Sequence, residues 1–149
     1  MSNIKLIYKM ENTPTHNQLS DFEFIEQFVN GTLNPKIFNH EAHLRLAWLY
    51  IDKFGLEQAE RDIQNQLQNF VSSIGAKGKY NKTLTIVATR IVNRFMQNFK
   101  SDNFADFINE FPQLVFQFEA LVNRHYSFDI FDSQKAKVEF LNPDLQAFE

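Results

Sequence analysis

Two imidazoles stand three residues apart in the stretch FNHEAHLRLAW, residues 38–48. Neutral imidazole is a common metal ligand and a general base near physiological pH, so His40 and His43 raise coordination, proton transfer and ligand binding together. With roughly 100° per residue around a helix, His43 falls about 60° from His40, with Ala47, Ile51 and Phe54 between or close by. Glu41, Arg45 and Asp52 cluster away from them. The projection places both rings on the buried face, within the first turn. Imidazoles at i and i+3 that share a face can converge on one ion or ligand. The alternative is that both rings pack under an aromatic side chain and hydrogen-bond to loop carbonyls, as befits a residue of intermediate burial.

The spacing is not that of H-E-x-x-H, and Glu41 points outward, so no zincin-type base is implied. The chain has no Cys, which removes disulfides, thiolate zinc sites and cysteine nucleophiles together. Two His ligands without a thiolate or a third His leave a zinc-like ion short of ligands, so no metal site is expected.

A second polar set follows in KYNKTLT. Asn81 and Thr85 project onto the apolar side of another predicted helix, again in its first turn, with Tyr80 just before it. Asn81 also suits a helix N-cap, and Thr85 a hydroxyl bonded back to its own helix. Two helices would then bring polar groups to one end of an apolar face, the usual make-up of a small-molecule pocket. Further candidates are weaker. His125 and Tyr126 close a later helix, where His complements the helix dipole. His16 lies in an N-terminal arm and is expected to be solvated. Trp48 reads as core. Glu119 has Val115, Phe116 and Val122 at helical spacing and reads as buried. GAKGKYNK is glycine-bearing and basic, but lacks the spacing of a phosphate loop or dinucleotide fingerprint.

The elements that must position these residues have clear boundaries. Ser20 and Glu23 form a capping box, and Gly31 stops the helix it opens. Asn34 and Pro35 start a short hook, and Asn39 caps a second long helix that ends at Gly55. A third helix runs from Leu56 to Gly75, with Ala59, Ile63, Leu67, Phe70 and Val71 at helical spacing. The fourth spans about 81–98, with Leu84, Val87, Ala88, Ile91, Val92 and Phe95 inward. SDNFADFINEF gives a short fifth helix, and Pro112 opens a sixth through QLVFQFEALVNRHY. SFDIF and DSQKAKVEFL read as two short helices or turns, and NPDLQAFE as a tail.

At 149 residues, with 17 Phe against 4 Gly and 4 Pro, the chain suits one all-α domain with a Phe-rich core. The expected architecture is four long amphipathic helices in a bundle-like packing plus short C-terminal helices. Residues 1–19 form an arm, with IKLIY extended, and 20–149 the single domain. A formal charge of −3, from 15 Lys+Arg and 18 Asp+Glu, offers no basic excess for nucleic acid. The N-terminal apolar run is too short for a secretory signal, and no stretch approaches the roughly 20 apolar residues of a membrane span. A cytoplasmic protein without membrane contact is expected.

The segments GTL…FNHEAHLRLAWLYI, KYNKTLTIVATR and HYSFDIFDSQKAKVEFLNPD resemble a family of small all-helical proteins of unassigned function. Its members show F-x-H-x-x-H-L-R-x-A-W, a YHxTxT-like stretch and a YS…S…A…F…PD ending. The likeness covers about residues 22–144 and marks His40, His43, Tyr80, Thr83, Thr85 and Tyr126. It implies His at position 81, where this chain has Asn, a poor transition-metal ligand. The expected function is a small-molecule-binding protein with a polar-tipped pocket between the second and fourth helices, lined by His40, His43, Tyr80, Asn81 and Thr85. A His could serve there as general base, but no nucleophile–base–orienter set is visible, so no reaction and no cofactor is named. The rival is a non-catalytic protein-interaction module with a Phe-rich surface, and self-association fits either reading.

Overall fold

Local capping chemistry sets the helix boundaries in the computed structural model, which describes residues 15–148. The extended reading of IKLIY falls outside them. Helix α1 (Asp21–Asn30) begins at the reciprocal Ser20–Glu23 box, and the chain leaves it through Gly31 at φ 74°. A Cβ there would also meet the Ser73 hydroxyl at 3.1 Å. The Asn34 side chain accepts from the Lys36 N–H and starts a 3-10 turn, Pro35–Ile37. Asn39 then caps α2 (His40–Phe54) by accepting from the Ala42 N–H at 2.9 Å. Gly55, at φ 83° and ψ 167°, joins α2 directly to α3 (Leu56–Ser73) in a conformation that is nearly exclusive to glycine.

A 3-10 turn at Lys77–Lys79 leads into α4 (Lys82–Asn98), capped by Asn81. The shorter helices are α5 (Phe104–Glu110), α6 (Gln113–Phe116), α7 (Phe118–Asn123) and α8 (Gln134–Val138). The described residues are helices, turns and loops without a strand, so the fold is all-α.

Helices α2, α3 and α4 pack against one another and enclose the core; α1 lies on α3, α8 on α4, and α5 and α6 on α2. Aromatic side chains fill the space between them. Phe28 meets Phe38 and Phe70 at centroid distances of 5.3 Å each, and Trp48 lies near Phe104 and Phe107, so Trp48 is core. Such aromatic pairs add stability beyond the area they bury.

Four expectations from the sequence need correction. The predicted sixth helix is broken at Gln117, whose backbone (φ −132°, ψ 29°) separates α6 from α7. The break changes the helical phase, and Glu119, expected to be buried, is exposed. His16 is not solvated: it is 1% exposed, because the turn His16–Gln18 folds back onto α2 and its Nε2 meets Glu41 at 2.9 Å. Arg45, projected outward, is buried beneath the same turn. Its guanidinium donates to the His16 and Leu19 carbonyls, pairs with Asp21 at 2.8 Å and lies over the Phe24 ring. A charge removed from water needs such a complete set of partners. The C-terminal tail is docked: Ser127 binds Asp144, and the Leu145 N–H donates to the His125 carbonyl.

Candidate functional site

The first turns of α2 and α4 open onto one cavity of about 450 Å³, floored by α3. His40, His43, Tyr80, Asn81 and Thr85 all line it, on walls made mainly of apolar side chains such as Leu67, Phe70 and Leu84. Asn39 and Asn81, each accepting from an N–H three residues on, fix where the two first turns begin and hence where the polar groups lie.

His40 has an orienting partner. Its Nε2–H donates to the Leu114 carbonyl at 2.9 Å, and its ring lies 4.7 Å from that of Phe118. The break at Gln117 explains why that carbonyl is available, since a continuous helix would have directed it to the Phe118 N–H. With Nε2 protonated, the Nδ1 of neutral His40 carries a lone pair.

His43 differs. Its ring packs on Phe38 at 4.2 Å, and no described residue hydrogen-bonds to it. The ring counts as exposed, yet desolvation, with His40 beside it, lowers its pKa to about 4. The two facts agree if solvent reaches the ring through a recess that protein otherwise surrounds. Both histidines, expected on a buried face, are exposed, because that face borders a cavity and not sealed core. His40 meets the packed alternative in both respects, aromatic neighbour and carbonyl partner. His43 meets only the first.

Asn81 and Thr85 are occupied structurally. The Asn81 amide oxygen accepts from the Leu84 N–H while its nitrogen donates to the Ile130 carbonyl at 2.8 Å, and the Thr85 hydroxyl donates back to the Asn81 carbonyl at 2.7 Å. Tyr80 contributes a buried hydroxyl without a hydrogen-bond partner among the described residues. Burial raises its pKa, and nearby Gln68 and Thr85 temper the rise without reaching hydrogen-bond geometry. A buried phenol in that state is a donor in need of an acceptor.

The positions marked by the family resemblance divide into two groups. His40, His43, Tyr80 and Thr85 surround the cavity. Thr83 and Tyr126 instead fasten the C-terminal segment: Thr83 Oγ1 donates to the Glu139 carbonyl and accepts from the Leu141 N–H, and the Tyr126 hydroxyl donates to the Leu141 carbonyl. His125 is also structural in part, stacking on Phe148 at 4.1 Å. Among the described residues no group of three or more His, Cys, Asp or Glu side chains is placed to hold a metal ion, and no helix is long and apolar enough to cross a membrane. Compared with family models, with curated proteins and with solved structures, the chain matches none of them.

Proposed function

We propose that the cavity between the first turns of α2 and α4 binds a small molecule with an apolar body and a polar end. The observation that carries this reading is the ring of His43: open to the cavity, without a protein hydrogen bond among the described residues, and neutral at physiological pH. A neutral imidazole offers one donor and one acceptor, and the lone pair on His40 Nδ1 offers a further acceptor. Apolar walls with a few polar groups at one end favour a ligand of matching polarity, and a volume of about 450 Å³ falls within the range of small-molecule pockets. The family resemblance supports a shared site, since four of the positions it marks surround this cavity. Any proton transfer would start at His40, whose ring is oriented by the Leu114 carbonyl.

A fragment screen by protein-detected NMR tests the proposal. Expected are binders whose shift changes centre on His40, His43 and Tyr80, and whose binding is lost in His43→Leu while circular dichroism and melting stay unchanged. Binders that perturb only other surfaces, or that bind His43→Leu undiminished, would overturn it. The interaction-module alternative draws on exposed Phe22 and Phe116, 74% and 82% accessible respectively. A mass that rises with concentration, with no ligand found in the cavity, would favour it.

A further inference from the structure

The chain contains five arginines. Three are tied to carboxylates: Arg45 to Asp21, Arg61 to Glu57 and Arg90 to Glu60, at 2.8, 3.1 and 2.6 Å. The other two, Arg94 of α4 and Arg124 just after α7, have no carboxylate among the described residues, and both line a second cavity of about 270 Å³. Among the described residues no acidic side chain borders it. Guanidinium stays charged at any physiological pH, and both side chains are exposed on this one concave surface, within reach of an anion that enters it. Helix dipoles do not account for the pair. Arg124 follows the short α7, whereas Arg94 precedes the last turn of α4, where the dipole effect fades.

A further polar group at this cavity is held in place. His125 is 5% exposed, its Nδ1–H donates to the Gln146 carbonyl at 2.6 Å, and its ring is stacked on Phe148. Its Nε2 has no partner among the described residues, yet it is not sealed from solvent. Ile91, Phe95 and Leu121 supply an apolar wall beside these groups.

We infer that this cavity, between α4, α7 and the C-terminal tail, is an anion site for the phosphate or carboxylate group of a small molecule. Arg94 and Arg124 pair with its oxygens, His125 Nε2 hydrogen-bonds to it, and its carbon skeleton rests on Ile91, Phe95 and Leu121. Guanidinium suits either oxyanion because its parallel N–H groups match two oxygens at once. The site is independent of the His40–His43 cavity, so either reading can fail without the other.

Titration of the full chain with inorganic phosphate and, separately, acetate tests this, with sodium chloride at matched ionic strength as the control. Expected is saturable binding that shifts the Arg94, Arg124 and His125 side-chain resonances. It should weaken about tenfold or more in the Arg94→Gln, Arg124→Gln double variant and persist in His43→Leu. Saturation by phosphate alone identifies phosphorylated ligands, and saturation by acetate as well extends the class to carboxylates. Shifts no larger than those given by chloride, or unchanged affinity in the double variant, would overturn the assignment. Should the double variant melt early, Arg94→Gln alone decides: that side chain is exposed on α4, and wild-type affinity there would equally overturn it.

Discussion

His43 combines a ring that solvent reaches with a pKa lowered to about 4, and this has a measurable consequence for stability. Below the unfolded value of about 6.5, the unfolded chain takes up a proton that the folded ring refuses. Stability is therefore unaffected above pH 6.5 and falls as pH drops from there towards 4. A sealed ring displaced this far would cost about 3 kcal/mol, and the opening to solvent reduces the expectation to about 1–2 kcal/mol. His43→Leu should lose that component while staying within about 1 kcal/mol of wild type at pH 8, because the ring gives up no protein hydrogen bond. Unfolding midpoints measured against pH for both proteins check it, and parallel curves between pH 6.5 and 4 would refute it. The face that His43 occupies was legible from spacing alone. Its lack of a partner was not, since that depends on what the other helices leave open.

At the scale of the element, the two asparagine caps are not equivalent. Asn39 makes one side-chain bond, to its own helix, from an exposed position. Asn81 caps α4 and also holds the Ile130 carbonyl from a site only 7% exposed. Asn39→Ala should cost about 1 kcal/mol, the ordinary value of a cap. Asn81→Ala should cost about 2–3 kcal/mol, since it also strands a buried carbonyl. Urea unfolding measures both, and amide exchange should rise around Ile130 only in the second variant. Equal losses would mean that the Ile130 contact contributes nothing. The capping role of Asn81 was readable from its place ahead of an apolar run. Its second bond spans 49 residues and belongs to the tertiary structure.

For the molecule as a whole, the commitments of these side chains bear on metal. His40 Nε2 is held by Leu114 and the Asn81 amide is used at both ends, which leaves too few free donors to complete a zinc coordination sphere. Zinc added at a few equivalents should shift the melting temperature by less than about 2 °C, because a ligand that binds weakly stabilises little. Elemental analysis of natively purified protein should find no stoichiometric transition metal. A stoichiometric ion would show that His40 exchanges its carbonyl for a metal.

What the sequence determined by itself is the set of four long helices and most of the apolar positions they bury. Ser20, Asn39 and Asn81 each bond to an N–H three residues on, and Gly31 and Gly55 supply backbone conformations that other residues avoid, so every signal lies within one turn of its effect. The Phe-rich core follows from the same periodicity. Only the tertiary structure decided how polar side chains are used. Arg45 looks solvated on a helical projection because its partners lie 24–29 residues away, in the turn that folds over α2. Thr83, a position that the family resemblance marks, gives its hydroxyl to the segment 56–58 residues further on. The break at Gln117 exposes Glu119 and gives His40 its carbonyl, and Arg94 and Arg124 come from different elements to line one cavity. Capping and periodicity act within a few bonds of the residue concerned, whereas burial of a charge is settled by whichever distant group arrives to satisfy it.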